Sequence, residues 1–160
     1  MALLNIWPGD TTLELRLGFL YKDLAQAFKS SNRARFERYV QSGQQLFEGL
    51  VERKLTKEIA ASAWNGLGNM HLLRGNFDQA VECSEKAVKL FPQYSYAWSD
   101  LFMGYQGQAE NGRPNLVGMR RAFERLEATA GNDPLLSGVI PQYERELRRW
   151  EQGSRPKRTT

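Results

Sequence analysis

The sequence predicts an all-α fold, for three reasons. Apolar residues recur along most of the chain at the spacing of one helix face, and no segment alternates between apolar and polar residues as a half-buried strand would. The six prolines all fall at predicted helix boundaries or within the last predicted helix. At 160 residues, the chain has the length of a single domain.

The first predicted helix pair spans residues 11–55 and follows an N-terminal segment, residues 1–10. Thr11 and Glu14 have the spacing of a capping box, in which two side chains satisfy backbone N–H groups at the start of a helix. A second, longer helix is predicted over about residues 32–53, because apolar side chains recur there at helical spacing. They are Phe36, Tyr39, Val40, Leu46, Phe47, Leu50 and Val51.

The second predicted pair, residues 57–92, has the most regular spacing in the chain. Trp64, Leu67 and His71 fall at i, i+3 and i+7, and so lie on one stripe of the first helix. Gly68 carries no side chain that would separate two helix axes, so a partner helix could approach closely at this position.

The second helix of this pair has its own signals. Ala80 is the small residue expected at the crossing, and Ala87 continues the apolar stripe. Gly75 lies in the predicted turn, where a left-handed backbone is favourable for glycine. Pro92 ends the helix, because the residue before a proline is disfavoured in helical conformation.

These positions together resemble the tetratricopeptide repeat family, whose pattern is W-x2-L-G-x2-Y…A-x3-F…P. Two positions depart from it: His71 replaces the usual Tyr, and Ser84 replaces the usual Phe, which predicts looser packing there. The resemblance implies a right-handed solenoid of about three helix-turn-helix repeats with a C-terminal capping helix. Residues 11–55 fit the pattern weakly, and we interpret them as a degenerate repeat.

The third predicted pair, residues 93–134, repeats the second at the same spacing. Its packing positions are Trp98, Leu101 and Tyr105. Phe102 stands where the second pair has its crossing glycine, which predicts a splayed pair. The polar segment 107–115 predicts an inserted loop, followed by a helix over about residues 115–130.

Residues 135–151 are predicted to form the amphipathic capping helix that shields the last core face of such arrays. Pro141 lies inside this helix and predicts a kink or a break. Residues 152–160 are predicted to be a disordered basic tail. Trp7 and Trp150, near the two ends, are outside the repeat pattern and are candidates for a surface through which copies of the chain associate.

The sequence contains no recognisable catalytic, cofactor-binding or metal-binding motif. A single histidine excludes a site built on a pair of histidines, and no glycine-rich phosphate-binding loop is present. The single cysteine, Cys83, cannot form an internal disulfide, and we interpret it as a buried structural residue. With neither a signal peptide nor a membrane-spanning stretch in the sequence, we expect a cytoplasmic protein without a membrane partner.

The resemblance implies a non-enzymatic adaptor or scaffold that binds a protein or peptide partner in a groove lined by the first helices of the repeats. The chain could also be a subunit of a larger complex. Residues between the packing positions would face the partner. They are Asn65, Asn69, Leu72, Tyr96, Ser99, Asp100 and Met103. A clamp for a C-terminal carboxylate is disfavoured, because Asp100 would repel it.

An alternative function rests on charge. The formal net charge is +4, and the excess of basic over acidic residues lies in residues 113–160. The arginines predicted on the last helices are Arg120, Arg121, Arg125, Arg145, Arg148 and Arg149. They could form a nucleic-acid-binding face. Glutamates interleave with them at spacings that pair the charges, so nucleic acid is the less favoured partner.

Overall fold

The computed structural model describes residues 9–153, and within that range the protein contains seven α-helices and no strand. The helices are α1 (Thr11–Phe28), α2 (Arg33–Val51), α3 (Lys57–Arg74), α4 (Phe77–Leu90), α5 (Ser95–Glu110), α6 (Leu116–Ala130) and α7 (Pro134–Glu151). Each helix packs against its neighbours in the chain, and α1, α3 and α5 also pack against one another in series. The predicted all-α, repeat-type fold is confirmed.

Most helices begin at a polar side chain that accepts a hydrogen bond from the first turn. The Asp10 carboxylate accepts from the backbone N–H of Leu13 at 3.0 Å, and the carboxylate of Asp133 accepts from that of Leu135 at 2.9 Å. The capping box predicted at Thr11 and Glu14 is therefore wrong. Glu14 is buried, and its carboxylate instead accepts two hydrogen bonds from Arg53, just beyond α2.

The core consists of two clusters of buried side chains. One is built mainly from α1, α2 and α3, and the other from α4 to α7 together with Ala61 of α3. Trp64 is partly buried and packs against both clusters, so this side chain joins the two halves of the array. No helix within residues 9–153 is long and apolar enough to cross a membrane.

At several contacts between helices, a glycine of one helix makes room for a large side chain of the other. The ring of Phe47, on α2, is fully buried between Gly18 of α1 and Gly66 of α3. A Cβ atom would lie 2.6 Å from the Phe47 ring if added at Gly18 and 2.2 Å from it if added at Gly66. Real Cβ atoms do not approach another carbon so closely, so both positions require glycine if the ring is to stay in place.

The same arrangement recurs at later junctions. A glycine of one helix receives a side chain of the neighbouring helix in four further pairs: Gly43 with Met70, Gly104 with Val81, Gly107 with Phe77, and Gly118 with Tyr105. In each pair, an added Cβ atom would lie within 2.8 Å of the opposing side chain. The distances between α2 and α3, α4 and α5, and α5 and α6 are therefore set by glycines.

Packing between α3 and α4 is closer than the sequence pattern suggests. Ser84 is fully buried, and a Cβ atom added at Gly68 would lie 3.2 Å from its hydroxyl oxygen. The looser packing predicted at Ser84 is thus wrong, because the small side chain lets the two helices close on each other. Gly75 adopts the left-handed backbone expected of it, with φ of 77°.

Three other predictions differ from the structure. Helix α5 continues to Glu110, so the loop predicted over 107–115 is confined to residues 111–115. Helix α7 runs through Pro141 without the break that was one of the two predicted outcomes; a kink there stays a prediction. Trp150 is buried among the side chains of the second cluster rather than exposed at an edge. Trp7 and residues 154–160, which include most of the predicted tail, lie outside the described residues.

We expect Gly66→Ala to lower the free energy of unfolding by about 2 kcal/mol, because an added methyl group overpacks the core against Phe47. Gly49→Ala is the matched control. Gly49 lies on α2 beside Phe47 but faces open space, so alanine there should raise stability by up to about 1 kcal/mol through helix propensity. Urea unfolding followed by circular dichroism measures both, and a Gly66→Ala variant as stable as the parent would contradict the packing argument.

Candidate functional site

The first helices of the three pairs form a groove, which we call the first-helix groove. It has a volume of about 290 Å³. It is lined by Lys22, Asp23, Gln26 and Lys29 of the α1 region, Asn69, Leu72 and Leu73 of α3, Phe77 of α4 and Met103 of α5. This volume suits one or a few side chains of a bound partner rather than a large cofactor.

Three residues of the predicted groove set lie in its wall. Asn69, Leu72 and Met103 are partly exposed and line the cavity. Leu72 and Met103 offer apolar surface, and a methionine adapts its shape to different partners. The amide nitrogen of Asn69 is bound within the protein, whereas its amide oxygen makes no hydrogen bond to the described residues. That oxygen can accept a hydrogen bond from a backbone N–H of a peptide.

The other four residues of the predicted groove set are placed differently. Asn65, Ser99 and Asp100 are buried, so they cannot face a partner as expected. The Ser99 hydroxyl is 3.1 Å from that of Tyr143 on α7, because α7 packs over this part of α5. Tyr96 is exposed, but its hydroxyl donates to the Asp133 carboxylate at the start of α7 and does not line the groove.

A buried polar network supports the groove from below. The Asn69 amide nitrogen donates to the Asp100 carboxylate at 2.7 Å and to the backbone carbonyl of Asn65 at 3.0 Å. The bond to Asp100 joins α3 to α5 beneath the groove, whereas the bond to Asn65 lies within α3. Burial raises the pKa of the Asp100 carboxyl to about 7, although the hydrogen bond from Asn69 and the charge of Lys22 favour the ionised form.

Sequence reasoning did not identify the residues that the α1 region and α4 contribute to the groove. Lys22, Gln26 and Phe77 line the first-helix groove but occupy no position of the repeat pattern. One signal was available for α1. Gly18 and Ala25, seven positions apart, are both small and both buried, which marks the packed face of that helix. Lys22 and Gln26 lie beside this face.

The other reactive side chains do not form a site. His71 is partly buried and its pKa is lowered by that burial, so it is neutral at physiological pH. Burial raises the pKa of the Cys83 thiol to about 11, which makes it a poor nucleophile. Among residues 9–153, no three His, Cys, Asp or Glu side chains cluster closely enough to hold a metal ion.

Several arginines of the basic C-terminal region are paired with glutamates. Arg148 pairs with Glu144 and Arg149 with Glu146 within α7, while Arg120 of α6 pairs with Glu151. This pairing agrees with the interpretation of a solvated, salt-bridged face. It weakens the case for nucleic acid, because each paired arginine presents less positive charge to a phosphate.

Comparison with known protein families identifies a repeat within the described helices. Residues 61–94 match the family model described as the tetratricopeptide repeat. The matched segment contains most of α3, all of α4 and the turn that follows. No curated protein matches the chain.

The buried Asp100 predicts a distinct pH dependence of stability. Its folded pKa of about 7 lies above the ordinary value, so the unfolded chain loses this proton first as pH rises. Between about pH 4 and about pH 7, the group should therefore lower the free energy of unfolding, by on the order of 3 kcal/mol. Asp100→Asn should flatten this part of the profile and be the more stable form at about pH 8.

Urea unfolding at a series of pH values measures this effect. Asp133→Asn is the control, because hydrogen bonds from Tyr96 and backbone N–H groups lower the pKa of Asp133. Its carboxylate therefore stabilises the fold above its unfolded pKa, and this contribution is lost as pH falls. Parallel profiles for Asp100→Asn and the parent would contradict the raised pKa.

Proposed function

Because residues 61–94 form a tetratricopeptide repeat, a repeat type that mediates protein–protein interactions, we propose that the protein is a non-enzymatic adaptor. It binds a protein or peptide partner in the first-helix groove and acts as a subunit of a larger complex in the cytoplasm. The single observation that carries this proposal is the groove itself, an open cavity of about 290 Å³ placed across three helix pairs.

The chemistry of the groove suits a peptide. Leu72 and Met103 provide apolar contact from α3 and α5, and Asn69, whose amide oxygen is free, is part of the same lining. Such a combination of apolar walls with a few placed polar groups is typical of sites that hold a peptide segment. The hydrogen bonds of Asn69 to Asp100 and Asn65 hold the floor in one arrangement, which lowers the entropy cost of binding.

The first-helix groove carries charge of both signs on α1. Lys22 forms an ion pair with Asp23 at 2.9 Å, and Lys29 adds a further positive charge. A partner segment of mixed composition fits this lining better than a uniformly charged polymer does, because the paired charges offer no extended field of one sign.

We expect Leu72→Gln combined with Met103→Gln to weaken partner binding about tenfold or more, because the substitutions remove the apolar contacts from both walls. Leu135→Gln is the matched control, since Leu135 is 73% exposed at the start of α7 and outside the groove. The tagged variants would be isolated from the native host after nuclease treatment, and co-isolated proteins quantified by mass spectrometry.

Circular dichroism should show the same helix content in both variants and the parent. Unchanged recovery of every stoichiometric partner with the double variant would exclude the first-helix groove as the binding site. Recovery of nucleic acid alone, lost as salt rises, would overturn the adaptor function and favour the alternative.

A further inference from the structure

A second and larger groove lies on the opposite face of α5. We call it the second-helix groove, because its walls are α4 and α6, the second helices of consecutive pairs. Its volume is about 760 Å³, within the range of functional ligand sites. Its floor consists of Trp98, Leu101 and Tyr105 of α5. The groove is open because α4 and α6 do not pack against each other as a pair, whereas both pack against α5.

The floor of this groove is fixed in position. The Trp98 indole N–H donates to the backbone carbonyl of Pro92 at 2.8 Å, and the Tyr105 hydroxyl donates to the Glu85 carboxylate at 2.7 Å. The Tyr105 ring also fills the space that Gly118 leaves at the start of α6. Each aromatic ring is therefore held by a hydrogen bond as well as by packing, and both side chains are buried, so the floor is fixed in one arrangement.

Positive charge is concentrated on the walls. Lys89 lies on α4, and Arg121 and Arg125 lie on α6 with their guanidinium carbons 5.8 Å and 5.6 Å from the centre of the Trp98 ring. Within residues 9–153, none of these three cations has an acidic side chain within 4.0 Å. Glu85, an acid in the same wall, is already bound by Tyr105.

Arg121 and Arg125 differ from most of the other basic groups of α6 and α7. Arg120, Arg148 and Arg149 each form an ion pair with a glutamate, so their charges are compensated within the protein. The charges of Arg121 and Arg125 instead lie over an aromatic floor and remain available to carboxylates of a partner. Arginine binds carboxylates with two parallel hydrogen bonds, which makes such a pair both strong and directional.

We propose that the second-helix groove docks an acidic segment of a partner protein, in which apolar side chains alternate with carboxylates. The carboxylates would pair with Lys89, Arg121 and Arg125. The apolar side chains would lie on the floor and against Val117, which is 82% exposed at the rim. Nucleic acid fits this groove less well, because an apolar floor and the negative charge of Glu85 in the wall do not match a phosphate backbone.

The test uses a fluorescein-labelled synthetic peptide in which glutamate alternates with leucine, and its binding to the whole protein is followed by fluorescence anisotropy at physiological salt. The charge-reversal pair Arg121→Glu and Arg125→Glu should weaken binding about tenfold or more. The matched control is Arg35→Glu with Arg38→Glu on α2. It makes the same change in net charge at two exposed arginines that also lie over aromatic rings.

Further measurements separate the possible binding sites. Replacing the leucines of the peptide with serine should weaken binding, because the aromatic floor would then be unused. The variant Leu72→Gln with Met103→Gln should bind the acidic peptide as the parent does, since it alters only the first-helix groove. If charge reversal on α6 changes the circular dichroism spectrum, Arg121→Gln with Arg125→Gln replaces it and should also weaken binding.

Four outcomes would overturn the proposal. The first is that the parent protein does not bind the peptide, and the second is that the α6 and α2 charge reversals reduce peptide affinity equally. The third is that only the first-helix-groove variant loses peptide binding. The fourth is that the protein binds a duplex DNA more tightly than the acidic peptide. Failure of this proposal leaves the adaptor function untouched, because that function rests on the other face of the array.

Discussion

The structure depends on glycines that make room on one helix for a large side chain of a neighbouring helix. Phe47 is the clearest case, because its ring lies between Gly18 and Gly66 and so fixes α1, α2 and α3 relative to one another with a single side chain. Val81 and Phe77 of α4 do the same at Gly104 and Gly107 of α5. A protein interior tolerates little change in volume at such contacts, so helix spacing follows from these pairs.

Helix spacing in turn determines where the two grooves open. The first helices pack in series, so the first-helix groove is small and has a floor made by the network of Asn69 and Asp100. The second helices α4 and α6 lie apart over α5, which leaves the larger groove above Trp98. Phe102 replaces the crossing glycine in the third pair, and its ring stacks on Tyr143 of α7 at 4.5 Å, which ties the capping helix to α5.

Much of the fold could be predicted from the sequence, because helix periodicity and the positions of Trp64, Gly75 and similar residues are local signals. The placement of Asn65, Ser99 and Asp100 could not, since each is buried by a partner on another helix that spacing alone does not reveal. The burial of Trp150 could not be predicted for the same reason.

Helix continuity was a second difficulty. The polar composition of residues 107–110 is typical of a loop, but packing of Gly107 against Phe77 keeps α5 helical there. Pro141 removes one backbone hydrogen bond, and the buried stripe of Tyr143, Leu147 and Trp150 holds α7 continuous.

Hydrogen exchange of the complex isolated from the native host, compared with that of the free protein, tests the central claim most directly. We expect slower exchange on partner binding in the parts of α1 and α3 that line the first-helix groove, residues 22–29 and 69–73, because a bound segment there restricts local opening. Unchanged exchange in both segments, with protection confined to other helices, would show that the partner binds elsewhere and would contradict the assignment of the groove.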